Sequence, residues 1–354
     1  MIRIEGLSND WGGIFSLKDI SLHVRRGEYF VILGPTGSGK TLLLELVAGI
    51  YCPDQGSISV AGKEITELAP EKRNVGFLYQ DYSLFPHYDV KKNIGFGLAA
   101  RRVPREERER RVSDAIKLLD IGHLVGRDVT TLSGGEQQKV AMARALVIDP
   151  SVLLLDEPFS ALDEMTKLSL IDEMGQLHRK KGMTVIHVTH SQEEALLLAD
   201  RIGIMMGGSI VQVGTPEEIF YKPADTDVAT FVKAENIWDA RVVESTGSSL
   251  TLSVGGAIMH ANPNPSLAGL ENVRLTIRPE DVLIGCGEGS SARNRVAATV
   301  EAVECHGFYY LVRLDCGFPI VSAVTKQSVE ELGLKKGKET GVFFKASALH
   351  AVAR

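Results

Sequence analysis

Residues 34–41 read GPTGSGKT, between the apolar run YFVIL at 29–33 and the helical stretch LLLELVAG. A β-branched, apolar strand feeding a helix through a glycine-rich loop is the context in which consecutive backbone N–H groups converge on phosphate oxygens. Gly34, Pro35, Thr36, Gly37, Ser38 and Gly39 would form that cradle, with Lys40 reaching the β and γ phosphates and Thr41 offering its hydroxyl to magnesium. A plain glycine turn is the bland alternative, and the strand, helix and Lys-Thr pair together argue against it.

A second apolar run, SVLLLDEP at 151–158, ends in two carboxylates at the strand's C-terminal edge, where open α/β sheets bind their ligands. Asp156 suits magnesium, and Glu157 is placed to polarise an attacking water, because phosphoryl transfer to water needs positioning more than covalent help. The pair could also be a solvated turn; the phosphate loop upstream favours the chemical role. Between the two runs, TLSGGEQQKVAMARAL at 131–146 opens a helix with Ser133, Gly134 and Gly135, a second N-terminus suited to an anion. Two such sites raise the question of how many nucleotides one chain holds.

The elements that must position these groups alternate strand and helix up to about residue 230. Within them, PREERERRVSDAIKLLD reads as helix, with Pro104 in its first turn and Val112, Ala115, Ile116 and Leu119 on one face. Six arginines between 101 and 111 interleave with three glutamates, which argues for a solvated face with i,i+4 pairs over a lipid-binding patch. The net charge of −6 argues against a nucleic-acid binder held by bulk electrostatics. Cys52, Cys286, Cys305 and Cys316 lack metal-type spacing and read as free thiols. The start MIRIEGLSND lacks a signal peptide, and no run of about 18 apolar residues is present, so a membrane role would come through a partner.

With LSGGE standing between the phosphate loop and LLLDEP, residues 1–230 resemble the ATP-binding subunit of ABC transporters. The resemblance implies an α/β P-loop NTPase with a helical subdomain at about 85–150, docking through SLFPHYDVKKNI. It implies a homodimer in which each copy's signature closes over the other's ATP, on the cytoplasmic face of the membrane. Two transmembrane permease subunits and an external substrate-binding protein would complete the transporter. Residue by residue, Trp11 matches the aromatic stacked on adenine, and Gln80 the glutamine touching magnesium and the attacking water. Asp163 matches the loop communicating across the dimer, and His190 the histidine contacting the γ phosphate. Glu136 departs from the commoner Gln, which removes an amide donor near the ribose.

After FVKAENIWDA the pattern turns to short strands, with 231–238 read as a linker and 239–354 as an all-β domain. Two parts of it look alike, ARVVES to NVRLTIRPEDVLI and ATVEAV to KETGVFFKASALHAV, consistent with two small barrel-like repeats that set Arg278 opposite Lys345. In the second repeat, SARN, AVTKQSVEELGLKKG and FFKASALH resemble the molybdate-binding domain of molybdopterin-type storage proteins and of the molybdate-responsive regulator. That family holds its tetrahedral oxyanion between subunits. Carried over, Ser291, Ala292 through its backbone, Arg293, Thr325, Lys345, Ala346 and Ser347 would hold molybdate or tungstate. The chemistry fits independently, since a divalent oxyanion wants two cations, several donors and no nearby carboxylate. The expectation is an importer ATPase with an oxyanion-sensing tail that inhibits uptake; the alternative is another cargo (sulfate, polyamine, iron or sugar) with a structural tail. A soluble ABC ATPase of DNA repair or translation would carry a coiled-coil insertion or a second cassette, and this chain has neither.

Overall fold

The computed structural model describes residues 1–354 apart from 247–248, 265–266, 268, 286–290 and 354. Tertiary contacts divide the chain into two units, Met1–Pro216 and Glu217–Arg354.

The first unit runs through β1 (Ile2–Asp10), β2 (Ser16–Val24), β3 (Tyr29–Leu33), α1 (Lys40–Ala48), β4 (Gln55–Val60), β5 (Lys63–Glu64) and β6 (Val75–Leu78). Helices α2 (Val90–Ala100), α3 (Arg105–Leu118) and α4 (Gly134–Leu146) follow, then β7 (Val152–Asp156), α5 (Glu164–Lys181), β8 (Val185–Thr189), α6 (Gln192–Leu198), β9 (Arg201–Met206) and β10 (Ser209–Gly214). One sheet is antiparallel, in order β2-β1-β4-β5; the other, β10-β9-β3-β8-β7-β6, is parallel except at β10. Every residue of β3, β7 and β8 is buried, as expected of central parallel strands covered on both faces. Core residues from both sheets, among them Ile4, Leu22, Ile32, Leu154 and Val188, pack with Leu43, Leu44 and Val47 of α1.

The three helices between β6 and β7 have their own core, including Val90, Ile94, Leu98, Val112, Ala115, Val140 and Ala143. Pro104 is the residue before α3 rather than inside its first turn. The expected i,i+4 pairs form: Arg105 to Glu109 at 3.0 Å and Arg111 Nε to Glu107 at 2.9 Å.

The second unit begins earlier than the sequence indicated. Helices α7 (Pro216–Tyr221) and α8 (Thr226–Phe231) lead into β11 (Asn236–Ser245), so 231–238 is not a linker: Val232, Ala234 and Asn236 are buried. Arg278 secures this start, donating to Phe220 O at 2.9 and 2.7 Å and stacking on the Phe220 and Tyr221 rings. The strands are β12 (Leu250–Val254), β13 (Ala257–Ala261), β14 (Asn272–Ile277), β15 (Leu283–Ile284), β16 (Asn294–His306), β17 (Tyr309–Asp315), β18 (Pro319–Val324), β19 (Glu339–Phe344) and β20 (His350–Ala353), with α9 (Lys326–Glu331) before β19.

They form two five-stranded sheets, β13-β12-β11-β14-β20 and β15-β19-β16-β17-β18. The repeats are present, but each half's last strand completes the other half's sheet: β15 pairs with β19, and β20 with β14. A buried asparagine at the start of each half reaches the edge strand of the other. Asn236 exchanges two hydrogen bonds with the Val321 backbone, and Asn294 two with that of His260.

Candidate functional site

Four neighbouring strands deliver the nucleotide-type residues to one edge of the parallel sheet. β3 releases the loop 34–39, β8 is followed by His190, β7 ends in Asp156 and β6 is followed two residues on by Gln80. The loop's shape requires glycine at two places. A Cβ on Gly34 would meet Met205 O at 2.2 Å, and Gly39, at φ +99°, would drive one into Phe15 and Leu17 at 2.7–2.8 Å. The same contact sets Phe15 against the loop, and with it Trp11, whose ring lies 6.5 Å from Phe15 and edge-on to Tyr51 at 6.1 Å.

Lys40 is buried and folds back on its own loop, donating to Gly34 O and Pro35 O at 2.9 Å each. Burial lowers its pKa, against the upward pull of Glu157 and Asp156. Ser38 Oγ is buried with no partner among the described residues. An orphan hydroxyl and an ammonium satisfied only by loop carbonyls are donors awaiting acceptors, which suits a phosphate chain. Thr41 Oγ1 donates to Asp156 Oδ1 at 2.9 Å. Burial pushes the Asp156 carboxyl up, the Thr41 hydrogen bond opposes this, and the Glu157 charge adds to it. A hydroxyl beside a carboxylate with an uncompensated burial penalty is a donor set that fits magnesium.

Glu157 stands at φ +41°, in the left-handed region, with its N–H donating to Val188 O at 3.0 Å. Its side chain lies 3.1 Å from His190 Nδ1, so the two residues share one place. Gln80 is exposed at the same sheet edge.

Ser133 caps α4: its Oγ accepts from Glu136 N at 3.4 Å, and Glu136 accepts from Ser133 N at 2.8 Å. Glu136 also pairs with Arg127 at 3.3 Å, and the Ser133 backbone hydrogen bond holds its carboxyl low. Glu136 closes the capping box as Gln would, and its charge adds the pairing with Arg127. Cβ atoms on Gly134 and Gly135 would meet Leu162 at 3.3 Å and Thr166 at 2.9 Å. The signature thus packs beside the loop of Asp163, which caps α5 by accepting from Thr166 N at 3.1 Å.

Two residues that sequence reading missed hold the stretch after Gln80. Arg144 of α4 donates to Tyr82 O and Ser83 O, both at 2.7 Å, and lies over the Phe85 ring; Asn93 bonds Phe85 at N and O. Beside this stretch, Tyr88, Lys91, Lys92, Phe96, Arg108 and Glu109 border a groove of 340 Å³. Arg144 reaches carbonyls 61 and 62 residues away and Asn93 a backbone eight residues away, which no local pattern announces.

In the second unit, Asn294 pairs with Phe344 across β16 and β19. That register brings Ser291–Arg293 and Lys345–Ser347 to one end of the ladder. Arg293 and Lys345 are exposed and make no ion pair among the described residues. Ala292 is 6% exposed, and its carbonyl accepts from Arg295 Nε at 3.4 Å. Thr325 is not brought there. It follows Val324, which lies level with Tyr310 and Cys305, 11 positions (305 − 294) along β16, or on the order of 30 Å of strand. Its hydroxyl caps α9 by accepting from Ser328 N at 3.2 Å. Nor is the site free of carboxylates, because Asp281 feels the charge of Lys345; burial raises the Asp281 pKa and Glu280 adds to the rise. Cys286 and the GEGS stretch at 287–290 lie outside the described residues.

A strand-loop-helix phosphate cradle, strand-end carboxylates and a glycine-opened helix in a three-helix insertion define a nucleotide-binding cassette of the ABC type. Residues 17–160 match the ABC transporter family, and residues 290–351 the TOBE domain family. Over 352 residues, 99% of each chain, this chain is 47% identical to the molybdate/tungstate import ATP-binding protein WtpC of Pyrococcus horikoshii. It is 39% identical over 284 residues, 80% of this chain and 78% of the relative, to the spermidine/putrescine import ATP-binding protein PotA of Legionella pneumophila. Among solved structures it resembles a dimeric post-hydrolysis ATP-binding cassette bound to ADP and Pi, with TM-score 0.55 and 27% identity over 61% of this chain and 99% of that one. The chain belongs to the ATP-binding proteins of ABC transporters and is an ATPase of that class. Among the described residues no helix is long and apolar enough to cross a membrane.

Proposed function

We propose that this ATPase powers import of molybdate or tungstate, and that its tail binds the same oxyanion and slows uptake when the cytoplasmic supply is ample. Two copies close on ATP and act on two permease subunits from the cytoplasmic face, with cargo delivered by an external binding protein. The 340 Å³ groove beside α2 is where a permease would dock.

In the ATPase step, Ser38, Lys40 and the loop N–H groups bind the phosphate chain, and Trp11 carries the adenine. Thr41, Asp156 and Gln80 would hold magnesium, which when bound would supply charge neutralisation at the phosphates. Glu157 orients the attacking water and His190 contacts the γ phosphate. The signature residues Ser133 to Glu136 serve the second copy's nucleotide, with Asp163 at the contact between copies.

The observation that carries the cargo assignment is the end of the β16–β19 ladder. Two cations, Arg293 and Lys345, exposed and without an ion pair among the described residues, stand together there with Ser291, Ser347 and the backbone of Ala292 and Ala346. Paired cations with hydroxyl and amide donors suit a divalent tetrahedral anion. Thr325, remote in its own chain, reaches such a site from a second copy. The full-length match to a molybdate/tungstate import protein, tail included, supports the same cargo.

Reconstituted with its permease, the ATPase is expected to slow when saturating molybdate or tungstate is added on the cytoplasmic side. Unchanged activity would remove the feedback role.

A further inference from the structure

Lys167 joins α5 to the segment that carries His190. Its ammonium lies 2.8 Å from Glu194 Oε1 and donates to Ser191 Oγ at 3.3 Å. Its backbone N–H donates to the carbonyl of Asp163 at 2.9 Å, in the first turn of α5. The other Glu194 oxygen lies 3.3 Å from His187 Nε2, and His187 Nδ1 lies 3.1 Å from the Tyr29 hydroxyl. Ser191 N donates to Thr189 Oγ1 at 3.0 Å, Glu194 N to Ser191 Oγ at 3.3 Å, and the Thr189 hydroxyl bonds the Glu194 carboxylate. Both chain neighbours of His190 are therefore tied to Glu194. The His190 ring itself is 54% exposed, and among the described residues its hydrogen-bonding partner is Glu157.

A side chain that exposed has no packing of its own to aim it, so its direction is inherited from the Thr189–Ser191 backbone. Glu194, at 3% side-chain exposure, is a buried charge, and a buried carboxylate persists only where its partners fix it with good geometry. Here the partners come from two elements, Lys167 of α5 and His187 of β8, and His187 Nδ1 in turn lies 3.1 Å from the Tyr29 hydroxyl of β3.

We infer that the Lys167–Glu194 ion pair is a positioning device for hydrolysis, aiming His190 at Glu157 and making that aim depend on the α5 turn capped by Asp163. The inference rests on the roles proposed above for Glu157, His190 and Asp163, and deepens them. A shift of the Asp163 loop when two copies close is passed to His190 through one ion pair.

The test is steady-state ATP hydrolysis by the full-length protein carrying Lys167→Met, Lys167→Arg, His190→Ala, or Lys167→Met with His190→Ala. Lys167→Met is expected to lower kcat about tenfold with the KM for ATP within about twofold, Lys167→Arg to recover most of the loss, and the double variant to be no slower than His190→Ala alone. A stabilising role alone moves the melting temperature without that pattern. An unchanged kcat in Lys167→Met, or a double variant whose loss is the product of the two single losses, overturns the inference. Wild-type kcat in His190→Ala would instead sink the histidine's assignment and take the inference with it. Should Lys167→Met fail to fold, Ser191→Ala serves in its place: it keeps both charges and removes one of Lys167's contacts, and its kcat loss must likewise vanish in the His190→Ala background.

Discussion

Glu157 occupies a backbone conformation that a non-glycine residue adopts at a cost of about 1–3 kcal/mol. The N–H to Val188 O and the Ser160 hydroxyl on Glu157 O, at 3.0 and 2.9 Å, hold it there. Its carboxylate is thereby turned beside His190, a placement expected of a residue that orients water. Glu157→Gln keeps the shape and removes the charge. Hydrolysis should fall by about 10²–10⁴ while ATP still binds, and ATP-bound dimers should accumulate on a sizing column; turnover near wild type would contradict the assignment. At the oxyanion end, Asp281 bears the opposite sign to its neighbour Lys345, and its pKa is raised by burial. Protonation removes that negative charge, so oxyanion affinity should strengthen as pH falls through the Asp281 titration. Asp281→Asn should bind more tightly at neutral pH and lose this dependence, and a wild-type pH profile in the variant would count against it.

Among the elements, the phosphate loop, the strand-end carboxylates and the signature helix were legible because each is contiguous and its chemistry is local. The helical insertion was legible as a region and α3 as a helix opened by Pro104, though α2 was not read as a helix of its own. The exchange of β15 and β20 was not legible, because it depends on pairing between Leu283 and Phe343 and between Val273 and Ala353, 60 and 80 residues apart (343 − 283, 353 − 273). Asn236 and Asn294 were passed over for the same reason, although each satisfies both backbone groups of one residue on an edge strand, closing an edge that would otherwise be open. Asn294→Leu would leave the half-buried His260 N–H and C=O unpaired, at up to about 1–3 kcal/mol for each group. Urea unfolding should show that loss as an earlier midpoint for the β unit, with ATP binding by the first unit intact; an unshifted midpoint would contradict the clamp.

Over the whole molecule, the two halves of the tail are alike in form and unlike in charge. Before Asn294 stand Ser291, Ala292 and Arg293; before its counterpart Asn236 stand Lys233, Ala234 and Glu235, with the same alternation of exposed and buried positions. The first half thus presents a carboxylate where the second presents a guanidinium, and an anion is repelled from one and drawn to the other. Sequence reading found the second half's cations and missed both the contrast and the remoteness of Thr325, since register alone shows which residues share an end. The account therefore requires one oxyanion per chain, with the site completed by a second copy. Calorimetric titration of the full-length protein with tungstate, molybdate and sulfate tests this most directly. We expect one tungstate or molybdate bound per chain, lost in Arg293→Ala and in Lys345→Ala and retained in Lys233→Ala. Heat-silent titrations with all three anions, or binding indifferent to both Arg293 and Lys345, would contradict the account.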